Sequence, residues 1–135
     1  MRWQESLPMN TQLYTRRRLV LAAVQAELDS AARLEDWGNV DGAFRHLERA
    51  HVLGQSVTAF HVRVHWAMLR WALRNRRPRE AAGQLTRIAG AVTKTALGWV
   101  PRGNTGGANV SPFKPMPVPD DLQRQLDRFR AEGAL

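Results

Sequence analysis

Three short breaks divide residues 11–97 into pieces of helical length. They are Asp36-Trp37-Gly38-Asn39, Gly54 with the residues after it, and Asn75-Arg76-Arg77-Pro78. Glycine tolerates the left-handed conformation that ends a helix, and asparagine caps the next one. Proline pushes the residue before it out of the helical region. Between the breaks, apolar residues recur three and four apart. Leu13, Val20, Ala23, Val24, Leu28 and Ala31 form one such stripe; Ala43, Phe44, Leu47, Ala50 and His51 form another. That period predicts amphipathic helices. We expect them over about 11–34 (capped by Asn10 or Thr11), 40–53, from 56 or 58 to 74, and 79–97.

Short links between long helices imply antiparallel neighbours. The stretches DWGNVDGAFRHLERAH and WALRNRRPREAAGQLTRI are loosely alike, each a turn followed by small residues and an apolar ladder. The expected fold is all-α: a compact helical bundle of two antiparallel, tetratricopeptide-like helix pairs in a single domain over residues 1–135. Two hairpins are too few for a solenoid.

Residues 98–119 read differently. They hold five prolines and four glycines and cannot continue a helix. Trp99, Val100, Val110, Phe113, Met116 and Val118 are apolar enough to pack this Gly/Pro-rich loop along the bundle. Pro119-Asp120-Asp121 then opens a short C-terminal helix over about 120–130, with acids in its first turn. The tryptophans at 3, 37, 66, 71 and 99 are many for this length, and core anchoring is their expected role.

Composition narrows the chemistry. There is no cysteine, which removes disulfides, thiolate metal sites and thiol catalysis. The first ten residues carry charges and Pro8 where a signal peptide would place its apolar region, and no apolar stretch approaches membrane-spanning length. A cytoplasmic location without a membrane partner is therefore expected. The net charge is +8, and 18 of the 20 basic residues are arginine. A basic balance admits nucleic acid or an acidic partner, but a solvated surface is the plainer reading. Nucleophile elbows, dinucleotide fingerprints and His-Glu-x-x-His sequences are absent.

All four histidines fall between His46 and His65. Glu48 and His51 are three apart on the second helix, and His61 and His65 are four apart on the third. Each pair therefore shares a helix face. His51 lies just before the tight link at Gly54 and His61 just after it, so an antiparallel hairpin brings them together. One carboxylate and three imidazoles make a coherent ligand set for a divalent transition metal: zinc, iron or copper. Glu-x-x-His is also a ligand spacing of di-iron bundles, but those want more carboxylates than this segment offers, so one ion is expected. The alternatives are a hydrogen-bonded structural cluster and metal-free acid–base work. His46 falls on another face and reads as a surface residue; Met68, in phase with His61 and His65, reads as core.

A second candidate is Val100-Pro101-Arg102-Gly103-Asn104-Thr105-Gly106-Gly107. Its glycines allow positive φ, and backbone N–H groups there can nest an anion. Without a following Gly-Lys-Ser/Thr it is not a phosphate loop. Either it is a tight turn that folds the tail back, or Arg102, Asn104, Thr105 and Gly106 help line a pocket for a small anionic ligand.

The string LERAHVLGQ, the His61-x-x-x-His65-Trp66-x-Met68-Leu69 helix, the GNTGG loop and the Pro-Met-Pro after it carry a resemblance. From about Arg17 to Leu122 the chain resembles the small bacterial proteins labelled domain of unknown function 3703. The resemblance implies no activity. It does map a Glu-Arg-Ala-His and His-x-x-x-His pattern onto Glu48, His51, His61 and His65.

Two classes of function follow. One is a small cytosolic metalloprotein with its ion between adjacent helices under the loop at 102–107. The other is a tetratricopeptide-like interaction module that binds a protein peptide or nucleic acid. The second requires Arg16, Arg17 and Arg18 to share a face with Arg74, Arg76, Arg77 and Arg79.

Overall fold

The computed structural model describes residues 9–97 and 101–135. Five helices follow in order: α1 (Met9–Asp36), α2 (Val40–Gly54), α3 (Thr58–Arg74), α4 (Pro78–Ala96) and α5 (Asp120–Ala131). No strand occurs among the described residues. The boundaries expected from the sequence hold to within about two residues. Helix α1 packs on α2 and α3 on α4, and α2 and α3 join the two pairs. None of these helices is long and apolar enough to cross a membrane.

Each turn has a local cause. Gly38 takes φ +80° at the end of α1, and the Asn39 side chain then accepts the Gly42 N–H at 2.9 Å to cap α2. A Cβ on Gly42 would stand 2.6 Å from that asparagine side chain, so the cap requires glycine there. Between α3 and α4 the Arg77 N–H reaches back to the Ala72 carbonyl at 2.8 Å. Arg76 carries this turn at φ 54°, where glycine is usual. Pro78 then occupies the first position of α4, which lacks an intrahelical N–H partner in any case.

The core is a layer of small and branched side chains between the helix pairs: Val20, Val24, Ala43, Leu47, Ala50, Leu53, Val64, Met68 and Ala72. Met68 is fully buried, as its phase predicts. Trp71 is a buried anchor; its Nε1–H donates to the Val40 carbonyl at 3.2 Å. Trp37 and Trp66 depart from expectation, being 78% and 54% exposed. Trp37 lies in the α1–α2 turn, beyond the reach of the core, and Trp66 points outward between the inward His65 and Met68 positions. Trp3, Trp99, Val100, Gly98 and the side chains of Leu13 and Arg16 lie outside the described residues.

The tail folds back as expected. Gly103, Asn104, Gly106 and Gly107 are buried, and Val110, Met116 and Val118 are half-buried. Phe113 is the exception, 52% exposed, because the loop turns outward between Ser111 and Lys114. Helix α5 then seats Leu122, Leu126 and Phe129 in the core. Those positions, four and three apart, form one helix stripe. Arg49 bridges α1 to α5 by pairing with both Glu27 and Asp121.

Candidate metal centre

His51 stands in the last turn of α2 among its buried residues, and His61 and His65 stand one turn apart on the buried face of α3. The tight link at 55–57 sets the two helices side by side at this end. The three rings converge: His51, His61 and His65 are 3%, 6% and 2% exposed. Their Nε2 atoms form a triangle with edges of 3.0 Å (51–61), 3.2 Å (51–65) and 3.1 Å (61–65). The rings are tilted or edge-on to one another, with centroids 4.7–4.8 Å apart, so this is convergence of nitrogens and not stacking.

Proton positions follow from the partners behind two of the rings. His51 Nδ1 lies 2.7 Å from the Asn104 carbonyl oxygen, which can only accept. His65 Nδ1 lies 2.6 Å from Gln84 Oε1. The Gln84 amide is oriented beyond doubt, because its Nε2 donates to Glu80 Oε1 at 2.6 Å and to the Gly106 carbonyl at 2.9 Å. Each of these two rings therefore carries a proton on Nδ1, and their Nε2 atoms face each other across 3.2 Å. Burial, followed by the neighbouring His65 and His61, holds His51 well below the usual imidazole range, so it is neutral at physiological pH.

The glycine loop closes the centre. Asn104 is 2% exposed and knots the loop. Its Nδ2 donates to the Ser111 and Lys114 carbonyls at 2.8 and 2.7 Å, and its Oδ1 accepts the Gly106 N–H at 3.0 Å. Gly106, at φ +79°, presses on the His51 ring: a Cβ there would stand 2.5 Å from its Cδ2. No side chain fits at this crossing, which explains the glycine at 106.

The other sequence candidates fall elsewhere. Glu48 does not join the group whose ligand atoms all lie within 4.8 Å of one another; that group is His51, His61 and His65. One turn back on α2, Glu48 stands beyond the crossing of Gly107, whose Cβ would lie 3.4 Å from its Oε1. It lines a separate cavity of about 750 Å³ with Glu80, Phe44 and Trp71. Burial, then Glu80, raises its carboxyl above the ordinary range. Arg102 is exposed and donates to Gln123 on α5, while Thr105 buries its hydroxyl without a hydrogen-bond partner among the described residues. His46 turns away from the cluster as expected, but it is not simply a surface residue. Its Nδ1 meets Glu27 Oε2 at 2.6 Å, in a partly buried hydrogen bond.

Sequence reasoning missed Gln84 and Glu80. A fully buried glutamine on α4 orients a histidine that is nineteen residues away in sequence. The available signal was Gln84 in phase with the buried Ala81 and Ala91. Also missed was a cavity of about 310 Å³ over the histidines, which Arg87 lines. The arginine runs do not form one face. Arg74 pairs with Glu35 at the far end of α1, and Arg17 lies eighteen residues earlier on that helix, about 27 Å away at ~1.5 Å per residue.

The family model described as "Protein of unknown function (DUF3703)" matches residues 19–126. No curated protein and no solved structure matches the chain.

Proposed function

The chain belongs to the DUF3703 family of proteins of unknown function, and we propose that it binds one divalent transition metal through Nε2 of His51, His61 and His65. One observation carries this reading: three buried imidazole Nε2 atoms converge to within 3.0–3.2 Å of one another, with Asn104 and Gln84 accepting the Nδ1 protons of His51 and His65 behind them. A cation satisfies all three nitrogens at once.

The spacing fits an ion. At the ~2.0–2.1 Å metal–imidazole distance, tetrahedral angles separate ligand nitrogens by about 3.3 Å and octahedral angles by about 2.9 Å. The observed 3.0–3.2 Å falls between them. Zinc, ferrous iron and cupric copper all accept imidazole, and nitrogen donors alone do not choose among them. The Nδ1–H bonds to a carbonyl and an amide oxygen are the outer contacts that metal-bound histidines ordinarily make. Three ligands leave the ion open toward the cavity over the rings. That is the arrangement of reactive centres and not of closed structural ones.

The test is titration of chelator-stripped, tag-free protein with zinc, followed by calorimetry and thermal melting. One ion per chain and a rise in melting temperature are expected. His61→Ala and His65→Ala should abolish both, while His46→Ala and Glu48→Gln should leave stoichiometry unchanged. Gln84→Met keeps the volume but removes the acceptor behind His65, and affinity should fall ~10–100-fold with binding retained. Zinc, iron and copper all failing to bind or to move the melt would retire the proposal and leave a hydrogen-bonded histidine cluster.

A further inference from the structure

The cavity over the histidines has an unbalanced wall. It holds about 310 Å³, near the lower limit of small-molecule sites. Three imidazoles form its floor, and Arg87 is its cation. No aspartate or glutamate lines it among the described residues. The nearest acid, Glu80, stands behind Gln84. Its carboxylate is engaged by the Gln84 amide and by the Ala108 N–H at 3.0 and 3.1 Å. Much of the remaining wall is apolar: Pro101, Pro112, Ala91 and Ala108.

Arg87 is held in place there. It is half-buried, and its guanidinium donates to the Val110 carbonyl, which ties α4 to the tail loop. Burial depresses its pKa and the nearby Glu80 charge opposes that shift, while guanidinium stays charged throughout the working range. With a dication on the histidines, the cavity carries positive charge on two sides and no carboxylate of its own. Glu80 offsets the Arg87 charge only in part, from behind Gln84, and an anionic ligand would balance the rest.

We propose that this cavity binds a small carboxylic acid in its anionic form. The carboxylate sits between the histidine-bound ion and Arg87, and a short apolar body lies against Pro101, Pro112 and Ala91. The inference rests on the metal-binding reading above. A carboxylate suits the site better than phosphate. A planar guanidinium matches two carboxylate oxygens, whereas a phosphate dianion calls for more donors than one arginine provides, the Thr86 hydroxyl already donating to the Gly83 carbonyl at 2.8 Å.

Cobalt(II) is the probe, because its visible spectrum reports both occupancy and changes in coordination. The cobalt-loaded protein is titrated with acetate, butyrate and inorganic phosphate. Acetate and butyrate should shift the spectrum saturably. Butyrate should bind more tightly, by about fourfold for each methylene buried, and phosphate more weakly than either. Arg87→Gln should weaken butyrate at least tenfold with cobalt stoichiometry unchanged, and Arg87→Lys should fall between Arg87→Gln and the wild type. Because Arg87 also anchors the loop, the wild-type ligand series stands as an arm that needs no variant. Carboxylates without spectral effect, phosphate binding more tightly than butyrate, or an Arg87→Gln protein that binds butyrate like the wild type would each overturn the proposal. Cobalt uptake with spectral silence toward carboxylates retires this inference alone. Failure to take up cobalt, with zinc, iron and copper failing as well, retires the metal centre and the inference with it.

Discussion

Proton positions on the buried imidazoles couple this site to pH. His51 is neutral in the folded chain and held below its ordinary range by burial and by its two histidine neighbours. In the unfolded chain it titrates near ~6.5. As pH falls through that value the unfolded state gains a proton that the folded state refuses. The stability of the metal-free protein is therefore full above ~6.5 and declines below it, until the folded ring itself protonates. The slope for one proton is about 1.4 kcal/mol per pH unit. Glu48 works in the opposite direction: its raised carboxyl gains a proton first in the folded state, above the ordinary 4.5. Glu35, held down by the Arg74 hydrogen bond, costs stability only below that value. Denaturant unfolding should thus show a loss of about 1 kcal/mol between pH 6.5 and 5.5, and His51→Gln should flatten it. A profile already flat in the wild type would mean that His51 is protonated in the fold.

Elements meet this site through glycines, and two of them separate backbone strain from steric contact. Gly38 and Gly106 share nearly the same positive φ, +80° and +79°. A Cβ on Gly38 would meet nothing within 4 Å, whereas one on Gly106 would strike the His51 ring. Gly38→Ala should cost about 1 kcal/mol, the penalty of a left-handed L-residue, and leave metal affinity untouched. Gly106→Ala adds a displaced ring to the same strain, so it should lose more stability and most of its metal binding. Urea unfolding with parallel zinc calorimetry distinguishes the two. Metal affinity retained in Gly106→Ala would mean that the loop does not hold His51. The helices themselves were plain in the sequence, since caps, breaks and stripes are local signals. The exposure of Trp37 and Trp66 was not. An aromatic ring contributes the same hydrophobicity to a pattern whichever way its helix faces.

At the scale of the whole molecule, residues 101–135 complete both core and site. Leu122, Leu126 and Phe129 are 0%, 5% and 4% exposed, and burying side chains of this size contributes about 1.5–3 kcal/mol each. The same segment supplies the Asn104 carbonyl that orients His51. Removing residues 98–135 should therefore cost on the order of 5 kcal/mol, close to the whole stability of a small domain. Near-ultraviolet circular dichroism should lose its tertiary signal, and zinc should no longer raise the melting temperature. A truncated chain with the parent melting temperature would reduce the tail to an appendage.

Sequence alone determined the helices, their antiparallel pairing, the returning tail and the meeting of His51 with His61 and His65. These follow from 3.6-residue periodicity and from a link too short to allow any other neighbour. It also singled out the glycine loop as the cover of the site. It could not separate Glu48 from His51, because a three-residue spacing leaves about 60° between side chains, enough for the Gly106-Gly107 backbone to pass between them. Tertiary structure alone brought Gln84 behind His65, turned Arg102 outward to α5 and set Arg87 in the wall of the cavity. Each of those placements depends on how α4 and the tail seat against α2 and α3. Packing decides that, through contacts between residues far apart in the chain, which no local pattern records.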